Sequence, residues 1–334
     1  MHFLYVMDPL ETMHPTKDTT FAFMRAAQRR RHVNWHCLLQ DLIVQPDGVF
    51  AMASQATVAS EPPYATYGKR NKLRLADVDA VIVRKDPPFD AAYLHAMQML
   101  ELVRDITFVM NDPQGLRDAE EKLFALHFTD WVPPSCVTSD SALIMEYVHQ
   151  WKEAVIKPIG RAGGVGVMKL SVGDPNNGSI IELLTDGGRK IVMLQQYLPQ
   201  VVEGDKRVLL LDGDLLGAVL RVPQQGDLRA NIHAGGSVVG CDLTETEKEL
   251  VTAVGPHLRR SGLYFVGLDI IGNRLTEVNV TSPTCIQELG RLTGTCPENN
   301  VIEWLEEKVH AFAVDSDVQR ARTNLTTEAA TLAK

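Results

Sequence analysis

Short apolar segments that end at proline, glycine or charged residues recur along this chain, and they constrain its fold more than any other feature. Residues 3–7 and 80–83 are examples. Each has the length of a buried strand and is too short for a buried helix. Residues 21–31 carry apolar side chains at helical spacing, and Asp18 or Thr19 stands where an N-cap is expected. Strands that alternate with helices predict an α/β fold.

The length of 334 residues allows two or three domains. The composition changes near residues 113–118, where a helix is predicted over 116–128. Further along, segments alternate between strand and helix patterns, and the last residues are polar and rich in Thr and Ala, which predicts a loose tail or a marginal helix. The predicted units are 1–117, an N-terminal α/β domain; 118–199, a central subdomain; 200–313, a mixed α/β subdomain; and 314–334, the tail.

Net charge and apolar run length exclude several classes of protein. The formal charge of −9 gives the whole chain no electrostatic reason to bind nucleic acid or anionic lipid. No apolar run approaches 18 residues, so neither a membrane span nor membrane association is expected. The five cysteines contain no C-x-x-C pair, which argues against a zinc site and favours the reducing cytosol.

A glycine-rich segment at 160–166 holds four glycines in seven positions. Glycines let backbone N–H groups turn toward an anion such as phosphate. The segment matches neither standard nucleotide fingerprint, and taken alone it favours a tight hairpin turn. Lys157 lies on the apolar strand that leads into it, where a charged side chain needs an anionic partner, unless it faces outward.

Lys122 is a second candidate for an anion site. It belongs to the sequence Glu120-Glu121-Lys122, which by itself is typical of a solvated helix face.

Residues 263–280 form two predicted strands about a Gly272-Asn273 turn. Three oxygen side chains, Asp269, Glu277 and Asn279, interrupt these apolar strands and suit Mg²⁺, although a polar outer face of a hairpin remains an alternative. With a plain two-residue turn, Asp269 would face away from Glu277. The metal hypothesis therefore predicts a three-residue turn or a bulge.

Three arginines stand where they could bind carboxylate or phosphate, although a surface arginine is usually only solvated. They are Arg207, Arg221 and Arg229, the last within a glycine-containing stretch that also holds Asn231, Gly235 and Gly236 and has the composition of a mobile loop. Cys285 could pass for a nucleophile. Because no base is placed beside it, a buried structural thiol is the favoured interpretation.

Taken together, these residues resemble the bacterial type of glutathione synthetase, within the ATP-grasp carboxylate–amine ligases. The likeness covers about residues 3–310. Its most specific parts are Arg84-Lys-Asp-Pro-Pro-Phe-Asp90 and the block from Phe265 to Thr284, whereas Ile156-Lys-Pro158 and the glycine loop identify only the superfamily. The fold implied is α/β, with α+β character in the ATP-binding part: an ATP-grasp fold behind an N-terminal Rossmann-like domain.

The resemblance also implies roles for single residues. ATP would be held by Lys122, Lys157, Gly163, Gly164, Gln195, Gln196, Tyr197, Leu198 and Asp205. Mg²⁺, or Mn²⁺ in its place, would be held by Asp269, Glu277 and Asn279. The catalytic arginines would be Arg207, Arg221 and Arg229, and the peptide substrate would meet Arg84, Arg207, Arg229, Asn231, Gly235, Gly236 and Ser282.

The activity implied is ATP-dependent formation of glutathione from γ-glutamylcysteine and glycine through an acyl phosphate, in a cytoplasmic homo-oligomer. Two alternatives stay open on the residues alone. One is another ATP-grasp peptide ligase with different substrates. The other is a non-catalytic ATP-binding module, against which the complete set of Asp269, Glu277, Asn279 and Arg207 argues.

Overall fold

The computed structural model describes residues 1–224 and 236–332. Its strands form three sheets of seven, four and five strands, consecutive along the chain. The first sheet contains β1 (His2–Met7), β2 (Val33–Cys37), β3 (Leu42–Gln45), β4 (Gly48–Val58), β5 (Ala65–Arg74), β6 (Ala80–Arg84) and β7 (Phe108–Met110). The second contains β8 (Ser135–Thr138), β9 (Glu153–Pro158), β10 (Met168–Ser171) and β11 (Val192–Gln196). The third contains β12 (Asp205–Leu211), β13 (Asp214–Val222), β14 (Ser237–Gly240), β15 (Phe265–Ile271) and β16 (Arg274–Asn279).

Nine helices lie between or after these strands within the described residues. They are α1 (Thr19–Arg29), α2 (Ala91–Glu101), α3 (Pro113–Asp118), α4 (Glu121–Ala125), α5 (Ser141–Trp151), α6 (Asn177–Thr185), α7 (Glu245–Arg260), α8 (Ile286–Thr293) and α9 (Pro297–Leu332). Helix α9 continues through the segment for which the sequence predicts a loose tail or a marginal helix. None of the described helices is both long enough and apolar enough to span a membrane.

The first sheet confirms the α/β prediction. Strand β1 is buried from Phe3 to Met7 and runs parallel to β2 on one side and β6 on the other. The Asp18 carboxylate accepts a hydrogen bond from the Phe21 N–H and so begins α1. Because a strand, a helix and a parallel strand follow one another, the C-terminal ends of β1 and β6 meet at one edge of the sheet.

The single helix predicted over 116–128 is wrong. The structure divides this segment into α3 and α4, which are interrupted at Ala119. The cause is Glu120, whose carboxylate accepts hydrogen bonds from the N–H groups of Lys122 and Leu123 and so caps a new helix. Beyond the break, α4 packs along β16.

The second sheet is antiparallel and has its own core. Its order is β10-β9-β11-β8, and the predicted hairpin appears as the pairing of β9 with β10. Buried residues of this sheet and its two helices form a separate cluster, whereas the first and third sheets share two larger clusters. The cluster of the second sheet contains Ile144, Val148, Ala154, Ile156, Leu170, Ile181, Val192 and Leu194.

Asn111 joins the first sheet to the third. Its buried side-chain amide donates to the carbonyl oxygens of Phe265 and Val280 and accepts from the N–H groups of Tyr264 and Phe265. These partners lie at the start of β15, immediately before it, or immediately after β16. The strands that carry the predicted metal ligands are therefore fixed to the N-terminal sheet.

Candidate active site

A groove opens between the second and third sheets. Its lining comes from both sheets, since Lys157 and Tyr197 lie on one side and Asp269 and Glu277 on the other. Because the two sheets have separate cores, the groove lies between two independently packed bodies. The remaining lining residues are Pro133, Val155, Gly164, Val167, Met168, Lys169, Gln195, Gln196, Leu198, Val201, Asp205, Ile271 and Thr276.

Lys157 points from β9 into this groove. Its side chain is only 11% exposed, and its Nζ lies 4.0 Å from Glu277 Oε1 on the opposite wall. Burial lowers the pKa of Lys157, and the Glu277 carboxylate offsets only part of that effect. The alternative of an outward-facing lysine is wrong, because the strand is covered on this side.

Lys122 reaches the same carboxylate from α4. Its Nζ lies 3.7 Å from Glu277 Oε1 and donates to the carbonyl oxygen of Arg161 in the glycine-rich loop. Burial alone would lower its pKa, but Glu277 and the adjacent carboxylates outweigh burial and raise it. The solvated helix face that the local sequence favours is wrong, since Glu120, Glu121 and Lys122 are all buried.

The hairpin of β15 and β16 meets the condition set by the metal hypothesis. Ile271 pairs with Arg274 around a two-residue turn, and the register then shifts so that Asp269 lies opposite Glu277. The shift comes from a bulge at Thr276, whose hydroxyl donates to the carbonyl oxygen of Asp269. The extra residue brings both carboxylates to one face of the sheet.

Asp269 is held by two arginines. Its carboxylate accepts hydrogen bonds from Arg207 Nε at 2.7 Å and lies 2.9 Å from an Arg221 terminal nitrogen. These residues meet because β12 pairs with β15 and β13 in a register that sets Arg207 opposite Asp269 and Asp205 opposite Arg221. Burial would raise the pKa of Asp269, but the two guanidinium groups outweigh it and hold this pKa below its usual range.

Asp205 also bonds to Arg221, with an N–O distance of 2.6 Å. Burial raises the pKa of Asp205 to about 6, against the lowering effect of Arg221. The residue borders the groove, as the predicted ribose contact requires, but its carboxylate is engaged with the arginine here.

The donor set on this face suits a divalent cation. Asn279 is half-buried two residues beyond Glu277, and its side-chain nitrogen donates to the carbonyl oxygen of Gly267. Because Nδ2 of Asn279 is bonded in this way, its amide oxygen is the side-chain atom available as a metal ligand. Two carboxylates and an amide are hard oxygen donors, so the residues fit Mg²⁺.

The segment that leaves β11 forms one end of the groove. Gln195 is buried and donates to the Ser135 hydroxyl, while the Gln196 N–H donates to the Pro134 carbonyl oxygen. The Tyr197 N–H donates to the Glu153 carbonyl oxygen, and Lys169 Nζ lies 4.0 Å from the centre of the Tyr197 ring. Leu198 completes this wall.

The glycine-rich loop overhangs the groove. Gly163 and Gly164 have φ of 68° and 74°, a conformation that favours glycine. Gly164 lines the groove, and a Cβ added to Gly163 would meet no atom within 4 Å. Gly163 therefore faces open space in this loop.

Two family models match the chain in succession. The model of the prokaryotic glutathione synthetase N-terminal domain matches residues 1–117, and that of the prokaryotic glutathione synthetase ATP-grasp domain matches residues 121–294. The chain belongs to the prokaryotic glutathione synthetase family. It is accordingly an ATP-dependent ligase.

Relatives with the name glutathione synthetase match nearly the whole chain. That of Gloeobacter violaceus is 43% identical over 314 residues, covering 92% of this chain and 97% of its own. The relative from Coxiella burnetii is 38% identical over 317 residues, which cover 94% of this chain and 98% of its own length.

Solved structures of lower identity share the ATP-grasp fold. The D-cycloserine synthetase DcsG is 14% identical, with a TM-score of 0.62, and covers 91% of this chain and 100% of its own. D-alanyl-alanine synthetase A from Vibrio cholerae is 13% identical, with a TM-score of 0.57. The match covers 92% of this chain and 98% of that structure's chain.

Arg84 is not part of the groove lining in this glutathione synthetase family member. It is buried at the end of β6, where its guanidinium donates to the Thr20 hydroxyl at 3.1 Å and to the Pro283 carbonyl oxygen at 2.8 Å. Burial lowers the pKa of Arg84 to about 10. Ser282, beside Pro283, and Gly236 are half-buried. Arg229, Asn231 and Gly235 lie outside the described residues.

The sequence did not indicate a role at this site for two carboxylates, those of Glu120 and Glu121. Glu121 accepts hydrogen bonds from the Val280 and Thr281 N–H groups and from the Thr281 hydroxyl, and so holds the end of β16. Glu120 bonds to the glycine-rich loop as well as to α4. Their sequence signal is a pair of acids before a lysine, which many surface helices share.

Proposed function

We propose that this protein forms glutathione from γ-glutamylcysteine and glycine while ATP is converted to ADP and phosphate. The observation that carries this proposal is the convergence of Lys122 and Lys157 on Glu277, opposite Asp269, in a groove between two sheets. Phosphoryl transfer depends mainly on positioning and charge neutralisation, which such a set supplies.

ATP would lie in this groove with its phosphates at Lys122 and Lys157. The adenine would face the wall from Gln195 to Leu198, with the ribose at Asp205. The loop that contains Gly163 and Gly164 would cover the phosphates and exclude water, because water would hydrolyse an activated acyl group. Support comes from the positions of these residues around one groove.

Asp269, Glu277 and Asn279 would hold Mg²⁺, with Mn²⁺ as a substitute. When bound, the ion would neutralise phosphate charge during transfer. In the described arrangement the nearby lysines and arginines neutralise these carboxylates instead. Ligand binding would therefore exchange protein cations for the ion at Asp269 and Glu277.

The reaction would begin with transfer of the γ-phosphoryl group to the cysteinyl carboxylate of γ-glutamylcysteine. Arg207, Arg221 and Arg229 would stabilise the transferred group and the oxyanion that forms when the glycine amine attacks. Arg84, Arg207, Arg229, Asn231, Gly235, Gly236 and Ser282 would bind the peptide substrate. No covalent enzyme intermediate is needed. The thiol of Cys285 is buried, and burial raises its pKa, which supports a structural role.

The proposal keeps the division into units 1–117, 118–199 and 200–313 with a tail at 314–334. Each of the three sheets falls within one of these units, which supports the division. We also propose a cytoplasmic homo-oligomer whose partners are small molecules rather than nucleic acid or membrane.

The deciding experiment measures ADP release with Mg²⁺, ATP, γ-glutamylcysteine and glycine. Release that requires both peptide and amine, with glutathione as the product, is the expected result. Stimulation only by another acid and amine pair would assign the chain to a different ATP-grasp activity. ATP binding without turnover on any pair would identify a non-catalytic module.

A further inference from the structure

The Glu120 carboxylate connects two elements that face the groove. One oxygen accepts hydrogen bonds from the Lys122 and Leu123 N–H groups, at 2.9 and 2.8 Å, and so begins α4. The other accepts from the Gly160 N–H at 2.8 Å. The side chain is 8% exposed, so these bonds form with little competition from water.

Gly160 is the fixed end of the glycine-rich loop. Its carbonyl oxygen accepts a hydrogen bond from the Phe89 N–H of the N-terminal unit at 3.1 Å. Its φ is +73°, and an added Cβ would lie 3.0 Å from the Phe89 carbonyl oxygen, so both conformation and space favour glycine. The next residue, Arg161, accepts from Lys122 Nζ through its carbonyl oxygen.

These contacts make a short bonded path from the loop to the lysine. We propose that Glu120 is a positioning residue that fixes the end of the loop to α4, so that the loop and Lys122 keep one relative orientation toward the ATP phosphates. The inference rests on the proposed function only in placing ATP in this groove. Glu120 itself acts through Gly160 and Lys122.

The bonding pattern explains why this position needs a full-length carboxylate. A glutamine has one acceptor oxygen and one NH₂ group, so it can accept on the loop side or on the helix side but not on both. An aspartate is shorter by one methylene and is a good N-cap. Glu120→Asp should therefore keep the α4 cap while losing the bond to Gly160.

The test compares Glu120→Asp and Glu120→Gln with the wild type. Steady-state kinetics give kcat and KM for ATP and for γ-glutamylcysteine, calorimetry gives the Kd of ADP, and thermal unfolding gives Tm. In Glu120→Asp we expect KM for ATP and Kd for ADP to rise about tenfold, as loss of one charge-assisted hydrogen bond predicts. KM for γ-glutamylcysteine should not change, and Tm should shift by less than about 4 °C.

Asp140 offers a matched control in the same part of the chain. Its carboxylate caps α5 through the Ala142 and Leu143 N–H groups and touches no part of the glycine-rich loop. Asp140→Asn should leave KM for ATP and Kd for ADP unchanged. A fall in Tm for both Glu120 variants with unchanged nucleotide binding would show a merely structural role and overturn the inference.

The nucleotide readout separates this inference from the proposed function. If the wild type binds ADP but makes no glutathione, the proposed function fails while the Kd comparison between wild type and Glu120→Asp still decides the role of Glu120. Equal Kd values in these two proteins would overturn the inference even if glutathione is formed.

Discussion

Two clusters of ion pairs in this protein resemble each other in composition and differ in setting. The groove cluster consists of Arg207, Arg221, Asp205 and Asp269, whose side chains are between 3% and 12% exposed. The surface cluster consists of Arg30, His32, Glu303 and Glu306, whose side chains reach 54% exposure. The surface cluster joins the turn between α1 and β2 to α9, whereas the groove cluster lies within one sheet.

The difference shows in the pKa values of the carboxylates. In the groove cluster, burial raises the pKa of Asp205 to about 6 despite its arginine partner. The pKa of Asp269, which two arginines hold, stays below its usual range although the carboxylate is buried. In the surface cluster, the hydrogen bonds from Arg30 lower the pKa of Glu306 to about 2, because little burial opposes them. Burying charges costs free energy that can exceed what pairing returns, so a buried cluster of this kind is weak evidence for stability. In the proposed function, the groove cluster presents charge to a ligand.

The largest expected effect is on turnover, and it concerns Lys157, which lines the same groove as the groove cluster. Lys157→Met keeps much of the buried volume and removes the charge, so we expect turnover to fall by at least about 10²-fold, as for loss of a preorganised cationic or hydrogen-bond donor. The measurement is the rate of ADP release at saturating substrates.

Lys190→Met is the matched control for this change. Lys190 lies in the same unit, is 71% exposed and pairs only with Asp186 among its described ion pairs. Its loss should leave turnover unchanged. Full activity in Lys157→Met would remove that lysine from the site.

Asp269→Asn is expected to lower both the stability of the protein and its turnover. The amide keeps the shape but removes the charge between Arg207 and Arg221, so the free energy of unfolding should fall by about 1–3 kcal/mol in a chain that still folds. Turnover should also fall, because this carboxylate is also a proposed metal ligand. Urea unfolding and ADP release measure the two effects.

Asp214→Asn serves as the control in the same sheet. Asp214 is 82% exposed and pairs with Arg259 outside the groove. Asp214→Asn should change neither the free energy of unfolding nor turnover appreciably. Retention of turnover in Asp269→Asn would contradict the assignment of the groove cluster to ligand binding.

The smallest effect is expected in the surface cluster. Glu306→Gln should lower the free energy of unfolding by about 0.5–1 kcal/mol at pH 7, the range for exposed pairs, and leave turnover unchanged. The pKa of Glu306 is lower in the folded than in the unfolded chain. The difference between wild type and variant should therefore be complete above about pH 5 and shrink as the pH falls toward 2.

Salt provides a further check on the same variant. In 1 M NaCl the difference at pH 7 should become smaller, because exposed charges are screened. A difference that persists unchanged at both low pH and high salt would show that Glu306 acts through packing rather than charge.

Local structure follows from the sequence where neighbouring residues decide it. The Thr244–Glu247 capping box ahead of α7 and the Asp18 cap of α1 depend on residues three apart, and both are present. If Asp269 and Glu277 are to share one face, strand alternation requires a three-residue turn or a bulge between them, and the structure has the bulge. The position of the bulge at Thr276 does not follow from strand alternation, because several residues beyond the turn could have been the extra one.

The positions of the charges could be predicted only in part. Lys157 stands out within an apolar strand, so its role could be expected. Glu120, Glu121 and Lys122 have the pattern of a surface helix, yet packing of α4 along β16 and beneath the glycine-rich loop buries all three. The pairing of Asp205 with Arg221 likewise depends on the register between β12 and β13.

The sequence by itself determined most of the strands and helices, the caps of α1 and α7, the oxygen side chains proposed as metal ligands and the family to which the chain belongs. These depend on residues close together in the chain or on long runs of matching positions. Only the tertiary structure decided which charged side chains are buried and which partners they have. Burial and ion pairing depend on segments distant in sequence, such as residue 120 beside residue 160 and residue 207 beside residue 269, which meet only when the sheets pack.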